Sequence, residues 1–294
     1  MKNFSSKLNV IAKNTDTYLK RFFLKQSRKS QLLYPMKYGH FSGGKRFRSA
    51  ILISTGEIFG IEYKKLIIIA SAVECVHSYS LIHDDLPSMD NDDLRRGKLS
   101  THKKFNESTA ILAGNSLLTL AFEILCGKDL LIPQKRKIEL IKSLSNCSGH
   151  SGLAGGQYFD LSFENKKISK EKIINMQKKK TGNLFGFCCE SAGIINGENK
   201  KTRNYLKEIG VMIGLLFQIV DDLIDFKGDS LIVGKPTKSD KKKGKATLLN
   251  LFGYKKSLNF AENLKKKIER KITRYGSKSN DLLESVDFIL NRKF

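Results

Sequence analysis

The segment Tyr63–Leu86, YKKLIIIASAVECVHSYSLIHDDL, limits what this chain can fold into more than any other stretch. Most of it is apolar with helical spacing, which predicts a helix buried on nearly all sides. It nevertheless ends in His83, Asp84 and Asp85, and Pro87 stops it, because proline disfavours helical geometry in the residue before it. Five aspartates crowd the run HDDLPSMDNDD (83–93), and LRRGK with Arg95 and Arg96 follows at once. A helix C-terminus carries partial negative charge, so each carboxylate there costs a few tenths to about 1 kcal/mol. A core helix that ends this way implies a cation beyond its end. Oxygen ligands with no nearby cysteine favour a hard ion, Mg²⁺, Mn²⁺ or Ca²⁺, over zinc. Arg95 and Arg96 suit phosphate, which guanidinium forks bind two oxygens at a time. Taken alone, the stretch could equally be an acidic loop neutralised by its own arginines.

A second acidic group lies in FQIVDDLIDF (217–226). Asp221 and Asp225 are four residues apart and share a helix face, with Gln218 three residues before Asp221 on that face. The neighbours are Leu, Ile, Val and Phe, so burial is expected, and buried carboxylates need a partner. That partner is either a Lys or Arg elsewhere or a metal. Two helix-borne acidic groups, each beside apolar surface, fit one cavity with metal clamped between them.

Helical spacing recurs at about 4–30, 49–59, 107–126, 134–148, 169–195, 200–226, 245–270 and 278–292. The breaks are GHFSGGKRFRS (39–49), GGQYFD (155–160), NGEN (196–199) and the basic stretch 227–245. With 4 Pro and few alternating runs the expectation is helical, and no linker divides residues 1–294 into two domains. The net charge of +24 fits a polyanionic partner or phosphorylated substrates, but the lysines are dispersed rather than gathered in one block. Five cysteines without a C-x-x-C pair argue against a disulfide framework or a zinc site, and for a reducing compartment. No apolar signal region follows the opening Met-Lys. The apolar runs near 66–73 and 210–217 stop at Glu74 and Gln218, short of a membrane span. The expectation is a cytoplasmic protein without stable membrane insertion.

Seven segments, taken in order, carry a resemblance. They are GGKRFR (43–48), ECVHSYSLIHDDLPSMDNDDLRRGK (74–98), AILAGNSLL (110–118), GGQYFD (155–160), KKTGNLF (179–185), GLLFQIVDDLID (214–225) and GKPTKSDKKKGKAT (234–247). Over nearly its whole length the chain resembles the bacterial short-chain trans-polyprenyl diphosphate synthases, closest to the farnesyl type, the geranyltranstransferases. The resemblance implies an all-α isoprenoid-synthase-type bundle around a deep central cavity, assembled as a homodimer. It implies condensation of isopentenyl diphosphate with dimethylallyl or geranyl diphosphate, with about three Mg²⁺ ions bound beside the allylic diphosphate. Asp84, Asp90 and Asp221 would be the direct ligands, while Asp85, Asp222 and Asp225 would hold metal-bound water or basic side chains. Arg95, Lys180 and Lys235 would grip the allylic diphosphate, with Lys245 a weaker candidate. Lys45, Arg48, His77 and Arg96 would form a metal-free acceptor site; His77 is two helical turns, roughly 10 Å, before Asp84. Thr181, the Lys180 carbonyl and Gln218 would face the carbocation with their dipoles.

Product length would be set sterically. Tyr79, beside the small Ser80, would floor the pocket roughly 7–8 Å below Asp84 and favour the fifteen-carbon product over the geranylgeranyl homologue. The chain departs from the family at Ser49, where a proline is usual, and Phe294 obscures a basic tail otherwise visible in FILNRKF. Three other classes compete. They are a metal phosphohydrolase built on His83–Asp84, a terpene cyclase, which DDLID argues against, and a basic nucleic-acid-binding scaffold, which would leave Asp221 and Asp225 without a purpose.

Overall fold

The computed structural model describes residues 2–26, 30–227 and 244–292. Lys235 and Phe294 therefore lie outside the described residues. The order of elements is α1 (Lys2–Gln26), α2 (Leu33–His40), α3 (Phe47–Ile58), α4 (Tyr63–Asp84), a hairpin of β1 (Leu94–Arg95) and β2 (Lys98–Leu99), α5 (Thr101–Lys104), α6 (Glu107–Cys126), α7 (Gln134–Ser148), α8 (Leu153–Ser162) and α9 (Lys170–Gln177). A π turn (Lys178–Gly182) leads into α10 (Asn183–Asn196), α11 (Lys200–Lys227), α12 (Leu248–Phe252), α13 (Tyr254–Ile272), a 3₁₀ turn (Thr273–Ser279) and α14 (Asn280–Asn291). The all-α expectation holds, and the two-residue strands are the sole sheet among the described residues.

The helices form where apolar spacing and end signals coincide. In α4, every residue from Leu66 to Val76 is buried, as the composition of the segment requires. In α11 the buried positions Ile209, Met212, Ile213, Leu216, Ile219, Val220 and Leu223 repeat at three and four residues, one face of a helix. Asn106 caps α6 by accepting the Thr109 N–H at 2.8 Å. Buried side chains from Phe4 to Ile289 join in one hydrophobic cluster, with α4 packed against α1, α3 and α6, and α10 against α11.

Four details differ from the sequence reading. Helix α2 falls mostly between the helix expected over 4–30 and the break expected at 39–49, where no element was assigned: its Pro35 sits in the first turn, which tolerates a residue without an N–H. The segment GGQYFD is not a joint but part of α8, because Gly156 lets that helix lie on the Lys179–Lys180 backbone, where a Cβ would collide. The stretch 169–195 is interrupted by the π turn, and 245–270 by Gly253 at φ 78°. Finally, α4 and α6 are each long and apolar enough to cross a membrane by length and composition. Counting uninterrupted runs missed this, since isolated Glu74 and His77 barely lower the average over a helix. The relevant window is 78% buried by the protein itself in α4 and 44% in α6.

Candidate active site

A cavity of about 810 Å³ opens among α3, α4, α8, the π turn, α11 and α14. Its wall carries both acidic groups: Asp84, Asp90 and Asp92 on one side, Asp221, Asp222 and Asp225 on the other. The first group is assembled by the helix end that proline imposes. The chain turns back after Pro87 so that the Asp90 N–H donates to the Asp84 carbonyl at 2.8 Å and the Asp92 N–H to the Asp85 carbonyl at 3.2 Å. Carbonyls left over at the helix C-terminus are thereby satisfied, and Asp90 is brought beside Asp84. The hairpin then aims the two arginines apart. Arg96 and Gly97 both have positive φ, 53° and 74°, as a tight two-residue hairpin turn demands. Arg95 donates to Asp85 at 2.9 Å and approaches Asp92 at 3.5 Å, while Arg96 donates to the Gly43 carbonyl across the GGKRFR loop. Gly44, at φ 126°, has no Cβ because one would come within 2.5 Å of the Arg96 guanidinium.

Beside the first acidic group, basic side chains are embedded among acids. Lys180 donates to Asp160 at 2.7 Å. Burial works against its charge, but Asp84, Asp160 and Asp90 raise its pKa above the usual lysine value. Lys245 reaches Asp90 at 2.8 Å, Asp160 at 3.1 Å and Glu164 at 2.8 Å, and its pKa also rises despite desolvation. Gln218 is fixed from both sides, accepting from the Thr181 hydroxyl at 2.8 Å and donating to Asp222 at 2.8 Å. Gln177 donates to the other Asp222 oxygen at 3.0 Å.

Around the GGKRFR loop the setting is different. Arg48 lies over the Phe185 ring at 4.8 Å, Lys45 over Phe288 at 5.7 Å and Arg292 over Phe217 at 4.0 Å. The rings touch one another: Phe47 and Phe217 stack at 5.3 Å, and Phe185 and Phe217 lie 5.4 Å apart. Burial and the surrounding arginines hold the His77 pKa well below the usual imidazole value, which disfavours its charged form. Burial and the repulsion of Arg46 lower Arg96 to about 10.

Of the residues singled out from sequence, Lys45, Arg48, His77, Ser80, Asp84, Asp90, Arg95, Arg96, Lys180, Thr181, Gln218 and Asp221 all line this cavity. Tyr79 does not. It packs edge-on against His83 at 5.3 Å, and His83 in turn bonds the Ile111 carbonyl of α6 at 3.1 Å. His83 is likewise absent from the lining, which removes the His83–Asp84 metal dyad. Asp221, a metal ligand by the resemblance, pairs here with Arg292 at 2.5 Å, the basic partner that the sequence had left open as the alternative. Of the pair expected to be buried, Asp225 is, as is Asp222, but the Asp221 side chain stays 40% exposed because it faces the cavity. Sequence reasoning missed Asp160, Gln177 and Glu74. Asp160 was hidden inside GGQYFD once that segment was taken for a joint, and an isolated Glu or Gln in an apolar helix carries no spacing signal.

The donor set suits a hard divalent cation. Desolvation, with Asp90 and Asp85 nearby, pushes Asp84 up to about 6, so a cation beside it relieves an unfavourable charge. Asp225 keeps a buried Oδ1 without a hydrogen-bond partner. Among the described residues no three acidic, His or Cys side chains already converge on one point. That suits an ion such as Mg²⁺, which keeps several waters and bridges to substrate phosphates rather than sitting in a protein cage.

The family model for polyprenyl synthetases matches residues 29–286. The chain belongs to the polyprenyl synthetase family. A farnesyl diphosphate synthase from Escherichia coli is 36% identical over 296 residues, covering 99% of both chains. An FPP/GFPP synthase from Zymomonas mobilis, solved without ligand, superposes with a TM-score of 0.86 at 37% identity, covering 98% of this chain and 99% of that one. A geranyltransferase from Helicobacter pylori, solved with magnesium and isoprenyl diphosphate, gives 0.82 at 29% identity, covering 98% and 96%. As a polyprenyl synthetase, the chain brings both acidic groups together with Arg48, Arg95, Arg96 and Arg292 into the lining of one cavity.

Proposed function

We propose that this polyprenyl synthetase is a farnesyl diphosphate synthase, working as one catalytic domain over residues 1–294. It joins isopentenyl diphosphate to dimethylallyl and then geranyl diphosphate. The observation that carries the reading is the single cavity lined both by carboxylates from α4 and α11 and by Lys45, Arg48, His77 and Arg96. Asp84, Asp90 and Asp221 would hold Mg²⁺, which when bound supplies Lewis-acid neutralisation of the departing pyrophosphate. Arg95, Lys180 and Lys245 bind the same diphosphate, with Lys235 a further candidate. The Thr181 hydroxyl donates its hydrogen bond to Gln218, so its oxygen lone pairs are left for the cationic carbon. Phe217 and Phe288 line the cavity beside that carbon and keep water away from it. At the acceptor end Lys45, Arg48, Arg96 and neutral His77 orient the second diphosphate. The allylic C–O bond breaks, the new C–C bond forms, and the proton lost from the acceptor goes to the departing pyrophosphate.

Two further assignments belong to this reading. A second copy of the chain covers the outer face of α6, where Ile111 and Leu112 are 42% and 54% exposed on a helix whose apolar window is only 44% buried. The enzyme works in the cytoplasm, uninserted in a membrane and without nucleic acid, in keeping with five free cysteines and a largely buried α4.

The deciding experiment incubates geranyl diphosphate with labelled isopentenyl diphosphate and Mg²⁺. A fifteen-carbon diphosphate is expected. Phosphate release alone would make the chain a hydrolase and a hydrocarbon product a cyclase. No turnover, together with salt-sensitive DNA or RNA binding, would make it a scaffold.

A further inference from the structure

Glu74 lies on α4 ten residues before Asp84, is 1% exposed, and forms part of the cavity wall, yet the chemistry above gives it no task. A carboxylate buried to that depth persists only where its oxygens are engaged. Its Oε1 accepts from the Ser49 N–H at 3.3 Å and from the Ser49 hydroxyl at 2.9 Å. Its Oε2 faces the Arg46 guanidinium at 3.6 Å. Arg46 is 4% exposed and donates to Asp16 at 2.9 Å and to the His40 carbonyl at 2.8 Å. It also holds a left-handed backbone, φ 50°, which a non-glycine residue keeps only where its surroundings enforce it. The acceptor ligand Lys45 precedes this residue directly, and Arg48 follows two positions later. The carboxylate of Glu74 acts on Arg48 and Arg96 as well, opposing the lowering of their pKa by burial.

We propose that Glu74, with Ser49 as its donor, is the positioning residue of the acceptor diphosphate site. It clamps Arg46 and so sets the direction in which Lys45 and Arg48 leave the loop. It is also the counter-charge that keeps Arg46, Arg48 and Arg96 gathered before the anion arrives. It touches neither diphosphate nor reacting carbon. Ser49 is this chain's own contribution, because a proline in its place would offer neither donor. The inference rests on the prenyl-transfer reading of the cavity.

The test compares the full chain with Glu74→Gln, Glu74→Asp and Ser49→Ala. Glu74→Gln is expected to raise KM for isopentenyl diphosphate about tenfold, with kcat and KM for geranyl diphosphate within about threefold of wild type. Glu74→Asp, which keeps the charge, recovers most of that loss. Ser49→Ala raises the same KM about twofold, and decides the matter if Glu74→Gln does not fold. A merely structural role lowers the unfolding temperature and the active fraction but leaves the ratio of the two KM values alone, and that outcome overturns the proposal. So does a fall in the acceptor KM. Calorimetry with inorganic pyrophosphate in EDTA separates this idea from the assignment of the reaction. If the wild type fails to elongate, about tenfold weaker pyrophosphate binding to Glu74→Gln still upholds the counter-charge. Equal affinities refute it.

Discussion

At the donor end of the cavity the basic side chains are surrounded by carboxylates, whereas at the acceptor end they lie over aromatic rings. Lys180 and Lys245 each touch Asp160, Lys245 also reaches Asp90 and Glu164, and Arg95 is tied to Asp85. Arg48, Lys45 and Arg292 instead sit on Phe185, Phe288 and Phe217. The difference follows from what each end has to do. A guanidinium held by a carboxylate has spent much of its attraction, so a diphosphate arriving at the donor end needs positive charge brought with it. A guanidinium over a ring face, as Arg48 is over Phe185, is oriented by the ring without being neutralised by it. On the proposed function, one end takes a diphosphate together with divalent cations and the other a diphosphate alone.

The largest effect expected from this contrast is at Asp84. Asp84→Asn keeps the shape and removes a charge that faces the cavity, and a bound cation supplies several kcal/mol to leaving-group departure. We expect kcat to fall about 10³-fold with KM for isopentenyl diphosphate nearly unchanged, measured at saturating Mg²⁺. A matching rise in the acceptor KM would mean that the two ends are not separable. Next comes Arg48→Gln, which removes a charged hydrogen-bonding group worth about 2–3 kcal/mol from the acceptor end. KM for isopentenyl diphosphate should rise about a hundredfold, and binding measured in EDTA should weaken in parallel. A loss that appears only when Mg²⁺ is present would place Arg48 at the wrong end.

The contrast was only half legible in the sequence. Asp84, Asp90 and Asp221 could be read because carboxylates at a helix end, or four apart in an apolar helix, violate local preferences, and such violations mark sites. Thr181 and Gln218 came through a motif resemblance, since a Thr after three lysines breaks no rule. The aromatic platforms could not be read at all: Phe47, Phe185, Phe217 and Phe288 come from four different helices, and each taken singly looks like ordinary core. Helix α8 was lost to its glycines, which signal a turn in sequence but serve here for close packing on the π turn. Arg292 stood in a recognisable basic tail, but nothing in the chain order indicated that it would reach Asp221, 71 residues away.

Arg292 belongs to both patterns, lying over Phe217 while bonded to Asp221 and to the Phe217 carbonyl at 3.0 Å. Because Asp221 is 40% exposed, solvent screens the pair and limits its worth to about 0–1 kcal/mol. Arg292→Gln should accordingly lower the Mg²⁺ concentration for half-maximal rate by about threefold, read from a metal titration at fixed substrate. A higher requirement would show that Arg292 serves the substrate rather than standing in for the metal.

The smallest expected effect concerns product length and lies beyond both ends. The cavity wall shows Ser80 and Leu81, while Tyr79 stands behind it against His83. A tail growing past Ser80 therefore meets the Tyr79 ring only if it passes between α4 and α6. In that case Tyr79→Ala opens space for one more isoprene unit, and with excess isopentenyl diphosphate part of the product shifts from fifteen to twenty carbons. The rate should stay within about twofold, because a single ring away from the diphosphates bears on neither charge site. An unchanged chromatogram would put the floor at Ser80 and Leu81, and Ser80→Phe would then be the variant that shortens the chain.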